Sequence, residues 1–310
     1  MEIFLIVLGI VLLLAILFSL LLYICFRIAF YVPKKRAALP DVPFGEAYLP
    51  YKDFMCSCAE EVRALPSRDL WITSFDGLKL HSRYFECIPG APIEVMIHGY
   101  RGSAERDLSC GVRRAFTLGH NVLLVDQRAG GQSEGSVITF GVYEHRDCLL
   151  WVEKLRQEFG EGVRIILTGL SMGAATVLVA AGQPLPKNVI GVIADCGYST
   201  PKEIIKIVSR QLKVPPVIGY PLARLGARVY GKFDPEEITP LESMATCQVP
   251  VIFFHGEADS LVPCEMSRRM YDACTAKKRL VIVPGADHGL SYPVAPEAYL
   301  QAAREFFSEC

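Results

Sequence analysis

Short apolar runs alternate with longer amphipathic stretches along most of this chain, and this alternation constrains the fold more than any other feature. The apolar runs are residues 93–97, 121–125, 164–167, 189–194, 249–254 and 279–283. Runs that are apolar at consecutive positions are typical of strands buried on both faces, as in parallel sheets. The stretches with helical spacing are residues 105–118, 143–159, 172–181 and 264–276. The alternation predicts an α/β domain with a mainly parallel sheet and flanking helices.

Two features add to this pattern at its start and in its middle. Asp76-Gly77 separates two short strand-like segments, which predicts a hairpin before the first parallel strand. The interval between Ala194 and Val249 is much longer than one crossover needs, and Pro215-Pro216 interrupts its helical pattern. We therefore expect an α/β domain at residues 67–310 with a helical cap inserted at about residues 197–246. The cap would cover the sheet edge where open parallel sheets bind ligands.

The chain begins with a long uncharged segment. From Ile3 to Phe26 there are 24 residues without a charge, and a helix of that length is about 36 Å long, enough to cross a bilayer. A cleaved signal peptide would begin with basic residues and end in small ones, and this segment does neither. We expect a single transmembrane anchor at residues 1–30, followed by a proline-containing juxtamembrane connector at residues 31–66.

Charge and cysteine patterns favour a cytoplasmic location for the rest of the chain. Arg27, Lys34, Lys35 and Arg36 follow the apolar segment and no basic residue precedes it, which places the C-terminal part inside. The 11 cysteines are scattered and odd in number, as is typical of a reducing compartment. No metal site is predicted, because no pair of cysteine or histidine motifs has the required spacing. A net charge of -1 gives no support for a nucleic-acid partner.

Residues 164–175, with the sequence RIILTGLSMGAA, carry the strongest functional motif. An apolar strand runs into the G-x-S-x-G sequence formed by Gly169, Ser171 and Gly173, and a helix of small residues follows. Such a tight strand-to-helix turn lifts a serine hydroxyl off the sheet, and its glycines leave room for neighbouring backbone. The helix N-terminus also points N–H groups towards developing negative charge. We therefore predict that Ser171 is a nucleophile.

A serine hydroxyl needs a neighbouring base to become a good nucleophile. Among the six histidines, His288 is the best candidate, because it follows the last predicted strand at the same sheet edge as Ser171. His255 ends a strand before a glycine and is interpreted as a packing or turn residue. Three further histidines, in the hairpin or in or near helices, are interpreted as solvated or structural: His81, His120 and His145.

The acid that orients this histidine should leave the preceding strand at the same edge. Asp259 and Glu257 both follow the run at 249–254, and Asp259 is better placed, directly before Leu-Val-Pro and the next helix. Glu257 is interpreted as a turn residue and Asp195 as a more distant candidate. Ser171, Asp259 and His288 then occur in the order nucleophile, acid, histidine on successive strand ends.

With these motifs the chain resembles the α/β-hydrolase family, in its serine aminopeptidase-like and acyl-hydrolase-like branch, over about residues 68–308. The resemblance includes HGYRGS at residues 98–103 and DQRAGGQSEG at residues 126–135. It implies that the backbone N–H groups of Tyr100 and Met172 bind the oxyanion, and that neither a metal nor an organic cofactor is needed. The family often has histidine at the position of Gly131. We expect that departure to be harmless, because the loop is interpreted as structural.

The resemblance implies a Ser-His-Asp serine hydrolase. The leading hypothesis is hydrolysis of a carboxylic ester or thioester, with a small-molecule acyl ester or lipid-like substrate, because the anchor would hold the cap near a membrane. The alternative is a serine aminopeptidase-like peptidase, in which Glu134 or the cap residue Glu203 could hold the substrate's amine. A third hypothesis is a non-catalytic binding module. Such proteins usually lose a triad residue, and here all three residues are present.

Overall fold

The computed structural model describes residues 1–33, 39–43 and 45–308. Lys34, Lys35 and Arg36, on which the predicted orientation partly depends, lie outside the described residues. The last two positions of the predicted hydrolase domain, 309 and 310, also lie outside them.

The described residues form helices and strands that alternate as the sequence pattern predicts. Up to the first half of the sheet the elements are α1 (Glu2–Phe30), a 3₁₀ helix (Glu46–Tyr51), α2 (Lys52–Ala64), β1 (Arg68–Thr73), β2 (Lys79–Phe85), β3 (Ile93–Ile97), α3 (Ala104–Thr117), β4 (Asn121–Val125) and α4 (Glu144–Phe159). The next elements are β5 (Ile165–Leu170), α5 (Met172–Ala181), β6 (Val189–Asp195), α6 (Pro201–Gln211), α7 (Pro216–Gly226), a π-helical turn (Ala227–Gly231) and α8 (Pro240–Met244). The chain continues with β7 (Val251–Gly256), α9 (Glu265–Ala273), β8 (Lys278–Val283), α10 (Ser291–Val294) and α11 (Pro296–Ser308).

The eight strands form one sheet in the order β1-β2-β4-β3-β5-β6-β7-β8. Strand β2 is antiparallel to both β1 and β4, and β4, β3, β5, β6, β7 and β8 are parallel to one another. The prediction of an N-terminal hairpin followed by a parallel sheet is confirmed. Because parallel strands end at one edge, the segments after β3, β5, β7 and β8 all lie at that edge.

Both faces of the sheet are covered, which explains why the central strands are apolar at consecutive positions. All residues of β3 and β4 are buried. In β3, Val95 packs in a cluster with Trp151 of α4, while the adjacent Met96 packs on the opposite face with Val112 of α3. This is the alternation of side chains that a pleated strand imposes. Helices therefore flank the sheet on both sides, as predicted.

The interval between β6 and β7 is helical, and each of its three α-helices begins at a proline. Helix α6 begins at Pro201 after Thr200, whose hydroxyl accepts a hydrogen bond from the Glu203 N–H at 3.2 Å, a typical N-cap. Helix α7 begins at Pro216, where the missing N–H of proline leaves no helical bond unmade. Pro215-Pro216 interrupts the helical pattern, as predicted: α6 ends at Gln211 and α7 begins at Pro216.

Helix α1 is long and apolar enough to cross a membrane, with a mean hydropathy of 3.3 over its most apolar stretch. Residues 2–21 are exposed, but Leu22, Phe26 and Phe30 are buried. Phe26 and Phe30 pack in one cluster with residues of α6, α7 and nearby loops. A Cβ atom at Gly226 of α7 would lie 2.8 Å from the Leu22 carbonyl oxygen, so α7 approaches α1 this closely only with glycine at this position. The last turns of α1 thus belong to the folded domain.

Candidate active site

Ser171 lies in the sharp turn between β5 and α5. Its backbone has φ 56° and ψ -116°, a strained conformation for a residue other than glycine. The turn is held by the Ser171 N–H, which donates to the Asp195 carbonyl at 2.9 Å. A Cβ atom added at Gly169 would lie 2.2 Å from the Gly173 carbonyl oxygen. A Cβ atom added at Gly173 would lie 1.9 Å from the Ile97 carbonyl oxygen. Both motif glycines are therefore required by backbone packing around the serine.

The structure brings Ser171, His288 and Asp259 together at the carboxyl edge of the sheet. His288 Nε2 lies 2.9 Å from Ser171 Oγ, and His288 Nδ1 lies 2.7 Å from Asp259 Oδ2. With its proton on Nδ1, the imidazole donates to the carboxylate and leaves Nε2 free to accept the serine proton. The three residues come from the segments after β5, β7 and β8, as the sequence order predicts.

Asp259 is positioned by four donors. Its Oδ1 accepts the N–H groups of Leu261 at 3.0 Å and Val262 at 2.7 Å, while Oδ2 faces His288 and His255. The side chain is fully buried. Burial opposes ionisation, but the hydrogen bonds from His255 and His288 more than offset it and hold the pKa of Asp259 well below its usual range. Asp259 is therefore a carboxylate near neutral pH.

His255 is part of this network, although the sequence interpretation assigned it to packing or a turn. Its Nε2 lies 2.8 Å from the Val262 carbonyl oxygen and 3.2 Å from Asp259 Oδ2, and its Nδ1 lies 2.6 Å from Ser267 Oγ. A carbonyl oxygen can only accept, so Nε2 carries the proton and Nδ1 accepts from the serine hydroxyl. His255 thus fixes the loop that presents Asp259. The four-residue spacing of the two at the end of β7 is a signal that could have identified it.

The other carboxylates near the site stabilise loops. Asp195 Oδ1 accepts the Ser291 hydroxyl at 2.7 Å. Asp287 Oδ1 accepts the N–H groups of Ser260 at 2.8 Å and of His288 at 2.7 Å, which orients the histidine loop. Glu257 is exposed at a turn, as expected.

A contact from the N-terminal segment, which the sequence did not indicate, also supports the histidine loop. The Tyr48 hydroxyl of the 3₁₀ helix donates to the His288 carbonyl at 2.9 Å. The segment predicted as a juxtamembrane connector therefore contributes to the shape of the site. No motif around Tyr48 suggests this contact, because it joins residues 240 positions apart.

The histidines interpreted as solvated or structural are structural. His81 is buried between Asp126, 2.9 Å from its Nδ1, and Asp69, 3.0 Å from its Nε2. His120 Nδ1 lies 2.8 Å from Glu94 Oε1, and His145 Nδ1 lies 2.8 Å from the Gly141 carbonyl oxygen.

The loop at residues 126–135 contacts the hairpin, as its structural interpretation requires. The N–H of His81 in β2 donates to Ser133 Oγ at 2.8 Å, and Asp126 bonds the same histidine. At Gly131 the backbone has φ 50°, and a Cβ atom would lie 2.1 Å from Asp126 Oδ1. The histidine that the family often carries would therefore not fit this conformation.

Tyr100 and Met172, predicted to supply the oxyanion-binding N–H groups, line the same cavity as Ser171. Met172 is the first residue of α5, and the loop after β3 runs beside the serine, since a Cβ atom at Gly99 would lie 3.6 Å from Ser171 Cβ. His98 holds this loop through Nδ1, 2.9 Å from the Gly99 carbonyl oxygen, and through Nε2, which accepts the Gln127 N–H at 3.1 Å.

The cavity beside Ser171 has a volume of about 200 Å³ and an apolar lining. Its walls are residues of α1, α5, α6, α7 and the loops at the sheet edge: Cys25, Ile28, Ala29, Tyr100, Phe140, Met172, Tyr198, Ile204, Ile205, Val208, Ser209, Leu212, Val214, Gly219, Ala223, Leu261 and Val262. No acidic residue is among these described lining residues. Glu134 accepts the Lys79 N–H at 2.9 Å, and Glu203 pairs with Arg269. Neither proposed amine-holding carboxylate lines the cavity.

Cys196 adds a third potential ligand atom to Asp259 and His288, since the three groups lie within 4.8 Å of one another. Burial holds the pKa of the Cys196 thiol well above its ordinary value. A metal needs the thiolate form, so this cysteine is poorly suited as a ligand. Asp259 and His288 are arranged for proton transfer with Ser171.

Comparison with known families supports the fold and the site region. A family model described as alpha/beta hydrolase fold matches residues 95–220. A second, described as serine hydrolase (FSH1), matches residues 168–290, the region that contains all three site residues.

Curated relatives are similar over part of their length. The protein YqkD of Bacillus subtilis is 30% identical over 190 residues, which cover 61% of this chain and 62% of YqkD. The protein YfhR of Escherichia coli O157:H7 is 25% identical, over 53% of its length. The chain thus spans less than two thirds of these first relatives. The protein Rv2307c of Mycobacterium tuberculosis is 26% identical over 245 residues, covering 78% of this chain and 79% of that protein.

Solved structures share the fold at low sequence identity. The esterase Pf2001 of Pyrococcus furiosus matches with a TM-score of 0.67 and 23% identity, covering 90% of this chain and 98% of that one. Est1E of Butyrivibrio proteoclasticus, solved with ferulic acid bound, matches with a TM-score of 0.59 and 21% identity, covering 77% and 98%. These similarities establish the architecture of the sheet and its flanking helices.

Proposed function

We propose that this chain, which has the α/β-hydrolase fold, acts as a serine hydrolase that cleaves a carboxylic ester or thioester with an apolar acyl group. One observation carries the proposal. A serine in a strained strand-to-helix turn bonds a histidine at 2.9 Å, that histidine bonds a buried aspartate at 2.7 Å, and the serine opens into an apolar cavity.

The first half of the reaction forms an acyl-enzyme. Ser171 Oγ attacks the substrate carbonyl carbon while its proton passes to His288 Nε2, and the carbonyl π electrons move onto oxygen. The N–H groups of Tyr100 and Met172 stabilise this oxyanion. When the oxyanion collapses, the bond to the leaving group breaks, and His288 gives its proton to the departing alkoxide or thiolate. Ser171 is left as an acyl ester.

The second half restores the enzyme. A water molecule gives a proton to His288 Nε2 as its oxygen attacks the acyl carbon, and collapse of the second oxyanion breaks the bond to Ser171 Oγ. The proton on His288 then returns to the serine, and a carboxylic acid is released. Asp259 remains a carboxylate throughout, where it holds the imidazole orientation and stabilises the imidazolium.

The cavity favours an acyl chain over a peptide. A substrate amine would need a carboxylate at the site, and the described lining residues include none. The aminopeptidase hypothesis is therefore less well supported, since Glu134 and Glu203 bind groups elsewhere. The solved neighbour from Pyrococcus furiosus is an esterase, in agreement with an ester substrate.

The enzyme is further proposed to be a single-pass membrane protein with its hydrolase domain on the cytoplasmic side. Helix α1 supplies the span, and Arg27 follows its exposed apolar part. Arg27 and the basic residues after it support this orientation by the positive-inside bias. A lipid-like substrate would then be available at the membrane surface.

A fluorophosphonate probe and a substrate panel test the proposal. The wild-type protein should be labelled and should hydrolyse acyl esters in preference to aminoacyl amides. Ser171→Ala should lose labelling and hydrolysis, whereas Ser308→Ala, at an exposed serine of α11, should keep both. Labelling that persists in Ser171→Ala would place the nucleophile elsewhere, and preferential cleavage of aminoacyl amides would favour the peptidase.

A further inference from the structure

Helix α1 forms one wall of the cavity beside Ser171. Cys25, Ile28 and Ala29, on the last two turns of this helix, line the cavity together with residues of α6 and the α6–α7 turn. A helix that only anchored the domain would have no reason to contribute side chains there. The inference developed from this wall rests on the proposed serine hydrolase activity.

The wall is fixed with respect to the serine. The Tyr100 hydroxyl donates to the Ala29 carbonyl at 2.8 Å, and the Arg101 guanidinium donates to the carbonyls of Ile28 at 2.9 Å and Tyr31 at 2.8 Å. These bonds satisfy carbonyls that a helix end leaves unpaired. Because residue 100 also lies on the loop beside Ser171, these bonds connect the end of α1 directly to the site.

The cavity has an apolar rim. Four of its lining residues are substantially exposed: Ile28 at 55%, Leu212 at 58%, Val214 at 40% and Val208 at 37%. The mouth of the cavity therefore lies between α1 and the α6–α7 turn. The adjacent start of α7 continues the apolar surface with Val217 and Ile218, exposed at 80% and 54%. A contiguous exposed apolar surface of this kind marks contact with a membrane or a ligand.

The position of this rim along α1 matches the edge of a bilayer. The exposed apolar part of the helix, residues 3–21, has 19 residues and a length of roughly 28 Å, close to the thickness of a bilayer's hydrocarbon core of about 30 Å. Ile28 follows Leu21 by seven residues, or roughly 10 Å along the helix. The rim thus lies at the depth of the interface, directly beside the span.

We propose that the cavity is an acyl-chain pocket shared by α1 and α6, and that its mouth opens towards the bilayer. The substrate is a long-chain acyl ester dissolved in the membrane. Its chain passes between Ile28 and Leu212 without crossing water, and its carbonyl reaches Ser171 while its polar group stays at the interface. Helix α1 is then both the membrane span and a determinant of chain-length specificity.

Matched tryptophan variants of the full-length protein in phosphatidylcholine vesicles test this pocket. Ile28 lines the cavity, whereas Ile24, one turn earlier and exposed at 46%, does not. We measure kcat/KM for p-nitrophenyl esters from butyrate to palmitate. Ile28→Trp should lower the value for palmitate at least about tenfold, as expected for lost contacts in an apolar pocket. The loss for butyrate should be much smaller than the loss for palmitate, and Ile24→Trp should leave both values unchanged.

A second variant changes Cys25, a lining residue that is less exposed than Ile28. Cys25→Phe should shorten the longest acyl chain that the enzyme accepts, again with a much smaller loss for butyrate than for palmitate. A loss that is equal for butyrate and palmitate in both Ile28→Trp and Cys25→Phe would contradict a chain-binding role. So would a preference of the wild-type enzyme for butyrate over palmitate, which would identify the substrate as a water-soluble short-chain ester.

A cross-linking measurement tests entry from the bilayer and separates the two proposals. A long-chain alkyl fluorophosphonate with a terminal diazirine is dissolved in the vesicles, allowed to label the protein and then irradiated. Cross-links to residues 22–30 or 201–214 are expected, and cross-links confined to segments that do not line the cavity would overturn the pocket. Absence of labelling and of all ester hydrolysis would instead overturn the serine hydrolase itself.

Discussion

At the scale of single residues, the site depends on how fully Asp259 is surrounded by donors. Two backbone N–H groups hold one carboxylate oxygen, and two histidines face the other. The sequence order was sufficient to predict Ser171, Asp259 and His288 as a group, because each follows a recognisable strand. The role of Tyr48 could not be predicted in the same way, because its contact joins residues 240 positions apart. The role of His255 had a local signal, its four-residue spacing from Asp259.

Asp259→Asn tests the proposed orienting acid. The amide can donate to His288 Nδ1, which favours the wrong tautomer, so kcat should fall by about 10⁴. The matched control is Asp287→Asn, which weakens the bonds to the N–H groups of Ser260 and His288 without touching the imidazole. Its effect on kcat should be much smaller. Steady-state hydrolysis of a butyrate ester measures both, and equal losses would contradict the assigned role.

At the scale of elements, helix α1 shows what hydropathy can and cannot predict. The apolar composition of residues 3–26 predicted a helix of membrane-spanning length, and the structure has a helix at Glu2–Phe30. Composition alone does not distinguish a residue covered by lipid from one covered by protein. The burial of Leu22, Phe26 and Phe30 against α7 and its neighbours was therefore not predictable. Helix α11 also went unpredicted, although Tyr299, Ala303 and Phe306 recur at helical spacing.

Gly226→Ala tests the close approach of α7 to α1. The added methyl group would lie 2.8 Å from the Leu22 carbonyl oxygen and 3.2 Å from Phe26 Cβ, so the helices must separate. Such overpacking should destabilise the protein by about 1–3 kcal/mol. Gly9→Ala, with no atom within 4 Å of the added methyl, is the control and should not be destabilised. Thermal unfolding in detergent measures both variants, and equal midpoints for the two would contradict the packing.

At the scale of the whole molecule, a buried ion cluster joins the middle of the sheet to α3. Glu94 of β3 pairs with Arg114 and accepts the Thr168 hydroxyl at 2.8 Å, and His120 Nδ1 lies 2.8 Å from its other oxygen. The sequence pattern predicted that residues 93–97 form a buried apolar strand. It did not indicate which residues would pair with Glu94, the one carboxylate in that strand. Its partners lie 20 to 74 positions away in the chain.

Glu94→Gln should destabilise the fold in a pH-dependent manner. Burial opposes ionisation of Glu94, but Arg114 and His120 more than offset it and lower the pKa of its carboxyl to about 2. An unfolded glutamate has a pKa of about 4.3. The stabilisation is therefore complete above about pH 4 and is lost as the pH falls towards about 2. At pH 7 the variant should lose about 3–5 kcal/mol, because Arg114 stays buried without its charge partner.

Unfolding midpoints of the wild type and the Glu94→Gln variant, measured from pH 7 to pH 2, test this linkage. The gap between the two midpoints should narrow only below about pH 4. Glu305→Gln, which removes a surface carboxylate 2.9 Å from Arg279, should leave the midpoint nearly unchanged at every pH. A gap that stays constant to pH 2 would contradict the proposed ionised pair.

The direct union of α1 with the hydrolase domain has a kinetic consequence. Within residues 1–33, the apolar span leads directly into the domain, since the Ile138 N–H donates to the Phe30 carbonyl and the Val32 N–H donates to the Ser136 carbonyl, each at 2.8 Å. Each enzyme molecule would therefore search for substrate by lateral diffusion in two dimensions, with its serine at a set height. The turnover rate should then depend on the mole fraction of substrate in the bilayer. Adding inert lipid, which dilutes the substrate within the bilayer, should slow turnover even when the bulk concentration of substrate is constant.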